Sequence, residues 1–215
     1  MKRYLGEMAD GGYETEEIGP FHRVMVPWLM RRWGIGTDAR VLDIGAGQGH
    51  CLIPLAEAGF SDLLAADLDP MRFELFQEQY GMQTVRCDIE TDRLDVESGS
   101  CDAVLCFHLI EHLSSPDNLM EEIVRVLREG GKAFVVTPNW RRRFRTFYRD
   151  PTHRHPYDKE SIARCFRMFG LRVEVHSFET RFGVRWLQLY RWWKRLGMIG
   201  RSILAVGTKD RDPGS

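Results

Sequence analysis

Nine residues constrain this chain more than any others. Val41-Leu-Asp-Ile-Gly45-Ala-Gly47-Gln-Gly49 runs a short apolar stretch into three alternating glycines. A helical pattern follows at once, Cys51–Ala58, and stops at Gly59. A buried strand that turns through glycines into a helix is a building unit of open α/β sheets. Glycine permits positive φ and lets the backbone come close to a ligand. In such sheets ligands sit beyond the carboxyl ends of the strands. Taken alone, the stretch also fits a plain strand–helix turn. The dinucleotide fingerprint G-x-G-x-x-G needs glycine at 50, where this chain has His50. That argues against NAD and for another nucleoside ligand.

The rest of the chain repeats the alternation. Apolar runs predict strands at 40–44, 62–66, 84–86, 103–107, 133–137, 172–178 and 203–208. Helical periodicity falls at 21–33, 51–58, 71–80, 119–127, 158–169 and 182–196. Strands alternating with helices imply an α/β, Rossmann-like doubly wound sheet covered on both faces. The 215 residues suit one domain, and no linker divides them. Residues 1–20 hold no apolar run, so a secretory signal is not expected. No stretch of membrane-spanning length is apolar. The five cysteines form no C-x-x-C pair, which favours a reduced, cytoplasmic setting with the thiols as small core residues.

Acids punctuate the strand ends. Asp43 lies just ahead of the glycines, where a carboxylate can order the loop or reach an ammonium through water. Asp67 follows the glycines by about 20 residues, the spacing of an acid that holds ribose hydroxyls. A carboxylate accepts two hydrogen bonds, which matches a cis-diol. A helix-capping role is the alternative for Asp67, and Asp69 before Pro70 reads as a cap. Cys87-Asp88-Ile89 ends the third strand, where an acid can accept from an adenine amine or close a solvated turn.

These motifs together resemble the class I S-adenosylmethionine-dependent methyltransferases. Val41–Gly49 resembles their first motif, Asp67-Leu68-Asp-Pro the acidic segment after the second strand, and Cys87-Asp88 the adenine-contacting segment. Cys101–Leu113 resembles the fourth strand and its loop, and Arg125–Gly131 the turn into the fifth. The resemblance covers residues 39–140 and fades towards the end. It implies a seven-stranded sheet, mostly parallel with an antiparallel last strand. It implies S-adenosyl-L-methionine as cofactor and S-adenosyl-L-homocysteine as product. Contacts are expected from Asp43, Gly45, Gly47, Gly49, Asp67, Leu68, Asp88, Ile89 and Phe107. In the family, N-terminal segments like residues 1–20, with Tyr13, close as a lid.

A sulfonium methyl is already activated, so the protein must align a nucleophile and, for oxygen or nitrogen acceptors, remove a proton. His108, at the end of the fourth strand, is the first candidate base, since imidazole titrates near neutrality. An ordinary surface histidine is the plainer reading. Glu111-His112-Leu113 recurs in the family, which favours a structural role. His108-x-x-Glu111-His112 matches the inverted zinc-protease pattern, but here it follows a nucleotide-binding sheet. The small-RNA 2′-O-methyltransferases pair Glu-x-x-Glu-His with a later histidine around a divalent ion. This chain has His108 in place of the first Glu, with His153 or His155 later, and no bound metal is expected.

Thr137-Pro138-Asn139 opens a segment running through Trp140, Arg149, His153, His155 and Tyr157. It resembles a loop of bacterial methyltransferases of envelope and sugar pathways, which adds His153 and His155 as catalytic candidates. Five arginines interleaved with aromatics can bind phosphate, carboxylate or nucleic-acid backbone, or simply cover apolar surface. Residues 1–138 carry 12 Lys/Arg against 24 Asp/Glu, and residues 139–201 carry 16 against 5. The basic region 140–201 is therefore expected to face a small or lipid-linked anionic acceptor; nucleic acid is the less favoured partner. The helix 182–196 places Phe182, Trp186, Leu189 and Trp193 on one face, to pack on the sheet or, with its arginines, to touch the inner face of a membrane. An RNA 2′-O-methyltransferase and a non-catalytic S-adenosylmethionine-binding protein are the alternatives.

Overall fold

The structure, a computed structural model, describes residues 18, 20–178 and 201–210. Its helices are α1 (Pro20–Arg32), α2 (Leu52–Glu57), α3 (Phe73–Tyr80), α4 (Asp117–Val126), α5 (Trp140–Arg143) and α6 (Lys159–Met168). Its strands are β1 (Arg40–Ile44), β2 (Asp62–Asp67), β3 (Gln83–Arg86), β4 (Cys101–Phe107), β5 (Leu127–Pro138), β6 (Leu171–Phe178) and β7 (Ser202–Lys209). They form one seven-stranded sheet in the order β3-β2-β1-β4-β5-β7-β6. β1 to β5 pair in parallel, and β7 runs antiparallel to both β5 and β6. The expected sheet and its reversed last strand therefore stand.

The central strands are apolar throughout because helices cover both faces. Alternate residues sort them. Leu42, Ile44, Val104, Cys106 and Val135 pack with Ile123 of α4 and Phe166 of α6. Val41, Leu105, Phe134 and Val136 pack on the other side with Leu29, Leu52 and Phe76, from α1, α2 and α3. Asp43 shares the face of Val41 by this period of two. All five cysteines are free and buried, as small core residues.

Boundaries depart from the sequence reading where capping decides them. Asp158 is the N-cap of α6 and not its first residue: its side chain accepts from Glu160 and Ser161, and Ser161 returns the bond. Met71 belongs to a 3-10 turn, Pro70–Arg72, whose cap is Asp69 as expected. The segment after β5 holds more structure than a loop, with α5 and a second 3-10 turn at Phe147–Arg149. The expected helix 182–196 and the expected lid, Tyr13 included, lie outside the described residues.

Because β1 to β5 are parallel, their carboxyl ends share one edge of the sheet. The glycine loop, Asp67, Asp88, His108 and Asn139 all follow those ends. Residues far apart in sequence meet there.

Candidate active site

The glycine loop closes the end of β1. Gly45, Gly47 and Gly49 all take positive φ, at 80°, 49° and 80°. The Gly45 and Ala46 amides donate to Ala66 O, at 2.8 and 3.2 Å, which folds the loop back onto β2. The Gly47 amide donates to Asp67 Oδ2 at 2.8 Å, and the Asp69 amide to Asp67 Oδ1 at 2.9 Å. Asp67 thus fixes the loop as well as facing the edge, and each oxygen keeps a second lone pair for a ligand hydroxyl. Gln48 Oε1 accepts from Arg72 Nε at 2.6 Å, a second tie across the same gap. Leu68 is half-buried beside Asp67.

Asp43 lies fully within β1. Burial foremost, and then the Asp67 charge, push its carboxyl up to about 8, with the Cys51 thiol hydrogen bond pulling the other way. Its Oδ1 has no hydrogen-bond partner among the described residues. A buried acid with an unanswered oxygen beneath a glycine loop suits a cationic ammonium. These residues fit S-adenosylmethionine, whose amino-acid tail the loop would take and whose ribose Asp67 would hold.

At the next strand end, Ile89 is buried and Asp88 half-buried. Asp88 Oδ1 accepts from the Glu90 amide at 3.2 Å, and its amide donates to Asp92 at 2.9 Å. The turn role is therefore filled, with the second carboxylate oxygen left over for an adenine amine. Phe107 ends β4, half-buried against the α1–α3 core.

His108 follows, the one non-glycine residue with positive φ among those described, at 56°. Such backbone is sparsely populated and gathers at functional sites. Its amide donates to Val136 O at 2.8 Å, which holds the turn against β5. Its Nδ1 meets Glu111 Oε1 at 3.2 Å, while Thr137 donates to Glu111 Oε2 at 3.0 Å. A carboxylate partner assigns the proton to Nδ1 and leaves Nε2 as the basic nitrogen. Burial opposes ionisation of Glu111, but the His108 hydrogen bond and the His108 and His112 imidazoles hold its carboxyl below the ordinary value. The Glu111 carbonyl accepts from the Arg154 and His155 amides, at 2.8 and 3.1 Å.

His153 and His155 therefore reach this edge through Glu111. His153 Nδ1 donates to Phe147 O at 2.7 Å, and its ring lies 4.8 Å from that of His112. Thr152 gives its hydroxyl proton to Asp150, so it accepts from His112 Nδ1, at 2.8 Å. Burial keeps His112 neutral with Nε2 left to accept, whereas His153 Nε2 faces Asp150 Oδ2 at 3.7 Å. Glu111, His112 and His153 offer ligand atoms within 4.8 Å of one another, so the set can hold an ion, although both Glu111 oxygens are already bonded. His155 Nε2 bonds to Ser114 O at 2.8 Å, which ties it to the loop after β4.

Two residues were missed. His22 of α1 stacks on His50 of the glycine loop, ring centroids 5.1 Å apart. Burial, then the His50 and His108 imidazoles, lower His22 to about 4, so it stays neutral at pH 7. Burial lowers His50 as well. Only the approach of α1 to the sheet edge creates this pair, and no local pattern signals it.

Comparison with known proteins agrees with this fold. Over 107 residues the chain is 31% identical to a ubiquinone biosynthesis O-methyltransferase of Xanthomonas oryzae pv. oryzae, covering 48% of this chain and 44% of that protein. The chain thus spans less than half the length of that relative. A Haloferax volcanii methyltransferase, solved with the Trm112 methyltransferase activator, superposes with a TM-score of 0.72 at 18% identity, over 97% of this chain and 96% of the other. A SAM-dependent methyltransferase from Archaeoglobus fulgidus gives 0.63 at 20% identity, over 97% and 100%. Residues 19–176 match the methyltransferase domain family, and the chain belongs to it.

Proposed function

We propose that this chain is a methyltransferase that uses S-adenosyl-L-methionine to methylate a small or lipid-linked anionic acceptor. The observation that carries it is His108: a strained, carboxylate-oriented imidazole on the same strand edge as the glycine loop and the arginine-rich segment. When bound, the cofactor supplies an activated sulfonium methyl. The glycine loop, Asp43, Asp67, Leu68, Asp88, Ile89 and Phe107 would hold it. Glu111 orients the His108 ring, and Thr137 keeps Glu111 in place. His108 Nε2 is the base that would take the proton from the acceptor hydroxyl or amine. The charge of region 140–201 favours an anionic acceptor over a neutral one.

Titration calorimetry with S-adenosylhomocysteine, with NAD as control, tests the first part. Binding of the former alone supports it, and binding of neither removes it. A screen of anionic acceptors then tests transfer. Cofactor binding without transfer, unaltered by His108→Ala, leaves a binding protein instead. No helix among the described residues is long and apolar enough to cross a membrane. The lipid-linked form of the proposal brings the segment 182–196 to an anionic bilayer surface, and vesicle co-sedimentation tests it.

A further inference from the structure

A cavity of about 490 Å³ opens beside the end of β5, walled by Arg142, Arg143, Arg145, Arg149 and Arg201 together with Phe144. Among the described residues, no acidic side chain lines it. Arg141, the neighbour that points away, pairs with Asp158. Arg143 Nε is buried with no hydrogen-bond partner among the described residues. An orphaned buried donor in a native fold calls for an absent ion or ligand group. Arg145 lies over the Phe144 ring at 5.4 Å.

The fold builds this cavity deliberately from two distant segments. The Asn139 amide donates to Arg201 O at 2.8 Å, which brings the start of β7 to the end of β5. Phe147, buried and edge-on to Trp140 at 5.5 Å, anchors the chain between the arginines. The same strand end reaches the His108–Glu111 pair through Thr137. The guanidinium forks of Arg143, Arg145 and Arg149 match oxyanions bidentately. A carboxylate brings one negative charge, whereas a phosphate ester brings about 1.5–2 at pH 7. The volume suits a small-molecule group and not a strand of nucleic acid.

We propose that this cavity is a phosphate subsite, taking a phosphate monoester or diphosphate group of the acceptor so that the nucleophile meets His108. The link to the acceptor rests on the methyl-transfer reading; the affinity for phosphate does not. Calorimetry of the full chain with inorganic pyrophosphate, without cofactor, measures that affinity directly. The double variant Arg145→Ala/Arg149→Ala is expected to weaken binding by roughly tenfold to a hundredfold per guanidinium, the scale of charged hydrogen bonds. Arg145→Lys/Arg149→Lys keeps the charge without the fork and falls between. Arg172→Ala, at the opposite edge of the sheet, leaves binding unchanged. S-adenosylhomocysteine affinity, measured on each variant, reports that the fold is intact. Pyrophosphate that fails to bind at millimolar concentration, that binds the double alanine variant equally well, or that citrate matches, overturns the proposal. Co-sedimentation with phosphatidic acid vesicles, lost in the double variant, places the phosphate on a lipid; pyrophosphate binding without it places the group on a soluble ester, and both support the subsite. Pyrophosphate binding in a protein that ignores S-adenosylhomocysteine removes the methyl-transfer reading and leaves the subsite standing.

Discussion

Replacing glycines 47 and 49 in turn separates two jobs within one loop. Gly49 is buried at φ 80°, and a Cβ there stands 2.7 Å from Phe76 Cε1 and 2.9 Å from Ile53 Cδ1. Phe76 is fully buried, so the ring has nowhere to move. The left-handed backbone costs about 1–2 kcal/mol for alanine, and overpacking adds about 1–3 kcal/mol. Gly49→Ala is therefore expected to lose about 2–5 kcal/mol, which lowers Tm by about 4–20 °C at roughly 2–4 °C per kcal/mol in a domain of this size. Gly47 is different. Its φ is 49°, and the nearest atom to an added Cβ is Gly45 O at 4.0 Å. Only the backbone term applies, so Gly47→Ala lowers Tm by about 2–8 °C. Its exposed methyl group instead crowds the ligand side, and S-adenosylhomocysteine affinity falls further than in Gly49→Ala. Scanning calorimetry and ligand titration of both variants read the two effects. Adding Phe76→Leu to Gly49→Ala makes room for the new methyl and recovers part of the loss, a coupling that a cycle of variants measures. A Gly47→Ala protein less stable than Gly49→Ala would refute the assignment of Gly49 to packing.

Asp67→Ala removes the acceptor for the Gly47 and Asp69 amides and is expected to weaken S-adenosylhomocysteine by about 1–3 kcal/mol; unchanged affinity in a titration ends its ribose role. Asp43, pushed up to about 8, carries its proton at pH 7, and a bound ammonium favours the ionised form. Binding then releases a proton and tightens as pH rises towards 8, which appears as a binding enthalpy that depends on buffer and loses that dependence in Asp43→Asn. In the unliganded protein the sign is opposite: stability associated with this group is full below its ordinary value of 3.8 and is lost as pH rises through about 8. His108→Ala is expected to lower kcat by about 10²–10⁴-fold if proton removal limits transfer, whereas His108→Asn, which tolerates φ 56°, keeps the wild-type Tm. Transfer is expected to survive chelation with EDTA, because both Glu111 oxygens serve His108 and Thr137; loss of turnover restored by Zn²⁺ or Mn²⁺ would place an ion on Glu111, His112 and His153.

The sequence by itself carried the glycine loop, the order of strands and helices, and the acids at the strand ends. These are local signals. An apolar run of five residues, a glycine where φ must be positive, and an Asp before Pro70 each report through the chain within a few positions. The capping box at Asp158 and Ser161 was equally local, yet the sequence reading placed Asp158 inside the helix, because a cap and a first helical residue share composition. What no window of sequence could show is how distant segments converge. The position of Asp43 ahead of the glycines was legible, but only the sheet buries it and leaves Oδ1 without a partner among the described residues. His22 becomes a site residue only when α1 lays it on His50. Glu111 reads as a family signature, and the fold turns it into the post that holds His108, Thr137 and the 152–155 segment together. The arginines between 142 and 149 were visible as a charge run, but their cavity needs Arg201, more than fifty residues on, brought alongside by the β5–β7 ladder and the hydrogen bond from the Asn139 amide. Periodicity and turn chemistry act over a few residues, so sequence determines them; burial, charge pairing and orphaned donors depend on which strand lies beside which, and only the closed sheet decides that.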